Sequence, residues 1–212
     1  KAGINVQMIS QGASKVNITV IVDDDEQLFD NAVSIIKQYA NKHSNTDCVA
    51  IDFNRNDIAT NKVIANYEQK DDYFMSVQER KKKKIDSDGY TGYFVGKING
   101  ERFPIFEGEK YIAPSVLLMN VSKFGGKVLW AKASIGTTEY VEGGITSQGR
   151  KLRLKNPHGM VEYCYCFMNG GFTTKLKYSI YGIAWMIINN KTKDKKIKKP
   201  EYPYFYYSLY LF

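Results

Sequence analysis

Two histidines, His43 and His158, and three cysteines, Cys48, Cys164 and Cys166, are the side chains best suited to chemistry in this 212-residue chain. Neither histidine stands near a plausible Ser or Cys nucleophile in sequence, so no catalytic triad can be argued. Cys164 and Cys166 would share one face of a strand. A zinc site would still have to gather four ligands from distant segments. Three thiols make no even disulfide framework, so they read as buried free thiols in a reducing compartment. No G-x-x-x-x-G-K-S/T, H-E-x-x-H or G-x-S-x-G motif occurs. Asp86-Ser87-Asp88-Gly89 starts like a calcium loop, but the later ligand positions fail, and a turn is the better reading. The residues therefore nominate no catalytic group, no metal site and no cofactor.

The elements that would have to position any site are clearest at the N-terminus. Ile4 to Met8 alternates apolar and polar residues, the period of a half-buried strand. Ser10 to Ser14 reads as a turn, with Gly12 free to take positive φ. A second strand follows, with Val16, Ile18, Val20 and Val22 on one face and Asn17 and Thr19 on the other. The acidic run from Asp23 predicts a helix start: Asp23 can cap, and Glu26 stands three residues on, as in a capping box. Leu28, Ala32, Ile35 or Ile36, and Tyr39 then recur at helical spacing, so one face should pack on the two strands.

Within this segment Asn5 to Ile18 reads NVQMISQGASKVNI. This fourteen-residue run resembles, position by position, the last ACT module of monofunctional aspartate kinases of the plant and fungal kind. There the phrase forms the second strand, the turn and the start of the third strand. The likeness extends to about residue 43. The resemblance implies part of a ferredoxin-like βαββαβ fold, in which paired ACT modules form a sheet across a homodimer. It also implies an amino-acid effector at that interface, lysine or threonine, that regulates aspartate phosphorylation. Carried over by position, the effector-binding residues would be Met8, Ile9, Ser10, Gln11, Gly12, Ala13 and Asn17. The physics suits such a role: amides exposed in a concave turn attract a carboxylate. Ser10, Gln11 and Asn17 can donate or accept hydrogen bonds toward a zwitterion. The family implies a cytoplasmic or plastid location and a part in lysine biosynthesis.

The departures bear on the same reading. The module's first strand and most of its first helix would precede Lys1, and the kinase domain is absent from this chain, which reads as a fragment or processed piece. A sheet lacking that strand is expected to leave an open edge and to dimerise or aggregate. Ser122-Lys123-Phe124-Gly125-Gly126 echoes the K-F-G-G phrase of aspartate kinases, but without the following Ser/Thr-Ser and in the wrong order, so it reads as a turn.

The fold class expected overall is α+β: a partial ACT module over residues 1–45, a mixed linker or helical segment over 46–84, and a β-rich region over 85–190. A Lys-rich and then aromatic tail follows over 191–212. Cys48 to Phe53 reads as a short strand, and Asn56 to Arg80 as partly helical. Tyr93–Ile98, Arg102–Phe106, Ser115–Val121, Lys127–Ala133 and Glu139–Val141 read as strands, with Asn99-Gly100 as a hairpin turn between the first two. Gly143-Gly144 and Gly170-Gly171 would continue the series of turns. No run is long and apolar enough to predict a transmembrane helix.

The net charge of +8 is concentrated at Arg80–Lys84 and Lys191–Lys199. Such blocks are solvated faces as a rule, but lysines interleaved with aromatics near Tyr90–Lys97 and Lys175–Tyr178 allow a second reading. In it the chain is a basic β-rich module that binds nucleic acid or a protein surface. A third reading takes everything after residue 45 as a chimeric or mis-translated product with no evolved function.

Overall fold

A computed structural model of the chain describes residues 4–10, 17–23, 26–139, 145–168 and 171–192. The chain divides into two compact units, residues 1–101 with 121–141, and residues 102–120 with 142–212.

In the first unit, β-branched residues at alternate positions bury Ile18, Val20 and Val22 along β2 (Asn17–Asp23), while Thr19 and Ile21 stay half-buried. β1 (Ile4–Ser10) pairs with it antiparallel, from Ile4 opposite Asp23 to Ser10 opposite Asn17, as the alternation predicts. The bend, residues 11–16, lies outside the described residues.

The helix begins later than the capping-box spacing predicts. Glu26 does fold back to accept the Asp23 N–H (2.9 Å). Yet Glu26–Leu28 is a short strand, β3, and α1 runs from Ala32 to His43. Pairing with another strand holds these residues extended, so Leu28 belongs to β3 and not to the helix. Ala32, Ile36, Ala40 and His43 form the buried stripe of α1, with Ile35 and Tyr39 half-buried at its margin.

The strand expected at Cys48–Phe53 continues to Asp57 as β4. It is buried at every position from Cys48 to Arg55 except half-buried Asp52, as a central strand should be. β5 is Tyr73–Phe74, and α2 is Val77–Lys82, the helical part of the Asn56–Arg80 segment. β6 (Gly89–Phe94) pairs antiparallel with β4 on one side, and β7 (Lys127–Thr138) pairs parallel on the other. β3 and β5 both pair antiparallel with β7. The order is β1-β2-β6-β4-β7-β3.

β2, α1 and β4 thus form a split β–α–β unit, with β6 antiparallel between its two strands. This corrects the expected open edge: a strand from later in the chain fills the place beside β2. Gly92 permits the fit, because a Cβ there would come 3.0 Å from Ile18 Cδ1 and 3.2 Å from Val20 Cγ2. The core combines Ile18, Val20, Ile36 and Ala40 with Ile51, Phe53, Tyr90, Phe94, Leu129 and Ile135. Each large apolar side chain in it contributes about 1.5–3 kcal/mol by leaving water.

Much of the region expected to be β-rich is not. The strand read at Tyr93–Ile98 ends at Phe94 and passes into one 3-10 turn, Val95–Lys97. Asn99 and Gly100 do take left-handed φ (50° and 75°), but Arg102–Phe106 is not a strand, so the turn joins no hairpin. Ser115–Val121 falls in a helix, α3 (Ser115–Ser122). Val116 to Met119 is a continuous buried run with no period-two alternation to specify a strand.

β7 extends past the predicted Ala133 to Thr138, and Glu139 lies beyond it. In the second unit the described residues from 145 onward are mainly helical: α4 (Ile145–Lys155), broken at Gly149 (φ 44°, ψ −111°), α5 (Pro157–Cys166) and α6 (Phe172–Thr192). Phe167 and Tyr178 stack at 4.2 Å where α5 meets α6. The fold class is α+β, but its C-terminal described part is a helical assembly and not a β meander. Gly143, Gly144, Gly170 and the tail from 193 lie outside the described residues.

Candidate functional site

The hairpin places Met8 opposite Thr19, Ile9 opposite Ile18, and Ser10 opposite Asn17. Four of the residues carried over by the ACT resemblance, Met8, Ile9, Ser10 and Asn17, therefore gather at one end of β1 and β2. Gln11, Gly12 and Ala13 lie outside the described residues.

Sequence reasoning missed two clusters built around buried arginines. Arg55, on β4, sends Nη1 to within 2.5 Å of Glu26 Oε1 and 3.4 Å of Asp88 Oδ2. Its Nη2 donates to the Gly89 carbonyl (3.0 Å), and its guanidinium lies 4.5 Å from the centre of the Tyr90 ring. The Tyr90 hydroxyl donates to the Thr137 carbonyl (3.0 Å). The Glu26 side chain is 2% exposed. Burial pushes its carboxyl up to about 7, against the opposing pull of Arg55 and the Asp23 N–H, while Asp23 and Asp88 add to the rise.

Arg80, the first residue of the basic block, is buried against the other face of β7, with its guanidinium 3.6 Å from the Trp130 ring centre. Its Nη2 donates to Ser87 Oγ (2.7 Å). The Tyr67 and Tyr73 hydroxyls meet at 2.8 Å nearby, and Gln69 Nε2 donates to the Trp130 carbonyl (2.9 Å). On the neighbouring strand Asp52 accepts from Thr91 Oγ1 (2.7 Å), and burial pushes its carboxyl up to about 6 despite Thr91, Arg80 and Arg55. A cleft of about 480 Å³ opens beside this layer, with Asn54, Asn66, Tyr67, Gln69, Glu68 and Lys132 in its lining. Asn54 Nδ2 donates to the Lys132 carbonyl (3.1 Å) and Asn66 Nδ2 to the Lys84 carbonyl (2.8 Å), so these amides brace its walls.

In the second unit, Glu109 reaches the N-terminus of α5. It accepts the His158 N–H (2.8 Å) and the Gly159 N–H (2.9 Å), and its Oε1 lies 2.9 Å from His158 Nδ1. His158 is thereby tied into a helix cap, with Phe106 stacked on its ring at 5.3 Å. The other histidine, His43, is buried at the end of α1, where desolvation and the neighbouring Lys42 lower its pKa. All three cysteines are free and buried, and burial pushes Cys48 up to about 11 and Cys164 up to about 12. Among the described residues, no group of three or more His, Cys, Asp or Glu side chains could hold a metal ion. No described helix is long and apolar enough to cross a membrane.

The family match falls on the N-terminal end of the first unit. Residues 1–39 match the ACT domain. A 24-residue stretch is 88% identical to Aspartokinase 3, chloroplastic, of Arabidopsis thaliana. That stretch is 11% of this chain and spans 4% of the relative's length. No solved structure matches the chain significantly. The ACT-like part covers β1, β2, β3 and most of α1, and neither arginine cluster is confined to it.

Proposed function

We propose that the N-terminal segment is an ACT-type regulatory element, in which the hairpin and α1 sense a free amino acid and the chain itself performs no catalysis. The observation that carries this reading is the coincidence of the ACT match, residues 1–39, with the β1–β2–β3–α1 stretch of the first unit. The split β–α–β arrangement supports the ferredoxin-like form of that reading, with β6 standing where the first strand of a βαββαβ sheet would stand. Residues after 45 share one core with residues before it, Ile51, Phe53 and Leu129 packing with Ile18, Val20 and Ile36. This favours one folded unit over an N-terminal piece joined to unrelated sequence.

In this proposal the effector contacts are Met8, Ile9, Ser10, Gln11, Gly12, Ala13 and Asn17, and the effector is an end-product amino acid such as lysine or threonine. β1, at one end of the strand order, is the edge through which two copies pair into a homodimer. The location is a plastid or the cytoplasm, with reduced cysteines. For the nucleic-acid alternative, Tyr90–Phe94 lies on strand β6, whereas Lys175–Tyr178 lies on helix α6, so the two lysine–aromatic stretches do not form one β surface.

Isothermal titration of the full chain with lysine and threonine tests the proposal, with sedimentation run in parallel. Saturable binding that is lost in a Gln11→Ala, Asn17→Ala double variant, accompanied by a dimer, is the expected outcome. Absence of binding by every aspartate-derived amino acid would overturn the effector reading.

A further inference from the structure

β2 and β3 stand four places apart in the strand order, yet only two residues separate them in the chain. The sheet must therefore curl until β3, beyond β7, returns beside the end of β2. The bond from the Asp23 N–H to Glu26 Oε2 marks the meeting point. At this point Glu26 comes from β3, Arg55 from β4, Tyr90 from β6, Asp88 from the residue before β6, and Asp23 from the end of β2. β7 contributes Thr137 and Thr138, which do not titrate.

Three carboxylates, Glu26, Asp88 and Asp23, face one guanidinium, so a proton on Glu26 lowers the negative excess from two charges to one. With Glu26 protonated, Arg55 and Asp88 cancel, and the neutral carboxyl still offers an oxygen to Arg55. With Glu26 ionised, one guanidinium faces Glu26 and Asp88 together, with Asp23 close by. The Glu26 side chain is 2% exposed, so water screens this excess poorly. Arg55 Nε has no hydrogen-bond partner among the described residues, so the cation is not tied down on every side.

We propose that this cluster is a protonation-controlled clasp: a proton on Glu26 keeps the curled sheet closed at β3, and its loss releases β3 together with the junction between the N-terminal hairpin and α1. The sign follows from burial, which raises the carboxyl from 4.5 to about 7 in the closed form. The closed state holds a proton that the open state has given up to solvent. Closure is then favoured fully below about pH 4.5 and weakens as pH rises toward about 7.

Hydrogen exchange on the full chain reads this directly, through the opening equilibrium of amides in β3 and in Gly136–Thr138 after correction for intrinsic rates. Opening should increase by up to about tenfold per pH unit between pH 5 and 7 and level off above that. Glu26→Gln should abolish the pH dependence. Asp88→Asn removes a repelling charge and should shift the levelling-off to lower pH. A flat wild-type profile, or a Glu26→Gln profile with the wild-type slope, would overturn the proposal. If Glu26→Gln does not fold, an Asp88→Asn profile that levels off where the wild type does overturns it equally.

Discussion

The guanidinium of Arg80 lies 3.6 Å from the centre of the Trp130 ring, although it belongs to a run of five basic residues whose other members are all exposed. The capping box of Ser76 and Glu79 starts α2 so that Arg80 alone points at the sheet. Its Nη2 bond to Ser87 and its contact with Tyr67 complete the site. Arg80→Ala should cost about 2–3 kcal/mol, through lost stacking, stem packing and an orphaned hydroxyl. Arg80→Met, which keeps the stem, should cost about half that. Lys82→Ala should stay within about 0.5 kcal/mol. Urea unfolding followed by tryptophan fluorescence checks the series, and equal effects at positions 80 and 82 would contradict the burial.

The placement of β6 can be tested with two glycines. A Cβ on Gly89 would collide with the Phe53 carbonyl oxygen and the Asp52 carboxylate, whereas one on Gly96 would meet nothing within 4 Å. Gly89→Ala should cost about 2–3 kcal/mol by prising β6 from β4. Gly96→Ala should be neutral or slightly stabilising, because it restricts only the unfolded chain. Thermal melts of the two variants would separate them, and a harmless Gly89→Ala would argue against β6 lying beside β4.

Glu109 caps α5 from a distant loop, 49 residues before His158. Glu109→Ala leaves the buried amides of His158 and Gly159 without their acceptor and should cost about 2–3 kcal/mol. Glu109→Gln keeps one carbonyl oxygen and should lose less. Far-UV circular dichroism during unfolding would show early loss of helix in the alanine variant. A melt matching that of the parent chain would show that the cap contributes nothing.

Local pattern alone carried the N-terminal hairpin. Ile18, Val20 and Val22 alternate with less buried neighbours, and a half-buried strand needs nothing more than that period. The buried positions Ala32 and Ile36 were legible for the same reason. The run from Asn5 to Ile18 also sufficed to indicate an ACT-type segment, because fourteen ordered positions carry more information than any periodicity.

What tertiary structure decided lies wherever competing local signals were nearly equal. Glu26 sits where a capping box would start a helix, yet it extends into β3 because β7 supplies strand hydrogen bonds and Arg55 lies within reach. Val116 to Met119 suits a buried strand or a buried helix, and only packing chooses between them. Arg80 reads like its four lysine neighbours until Trp130 is set beneath it. β6 finds its place between β2 and β4 through pairing across more than thirty residues of intervening chain, which no short-range pattern encodes. Propensity and period act over a few residues, whereas strand order and buried charge depend on which distant segments can satisfy one another's hydrogen bonds.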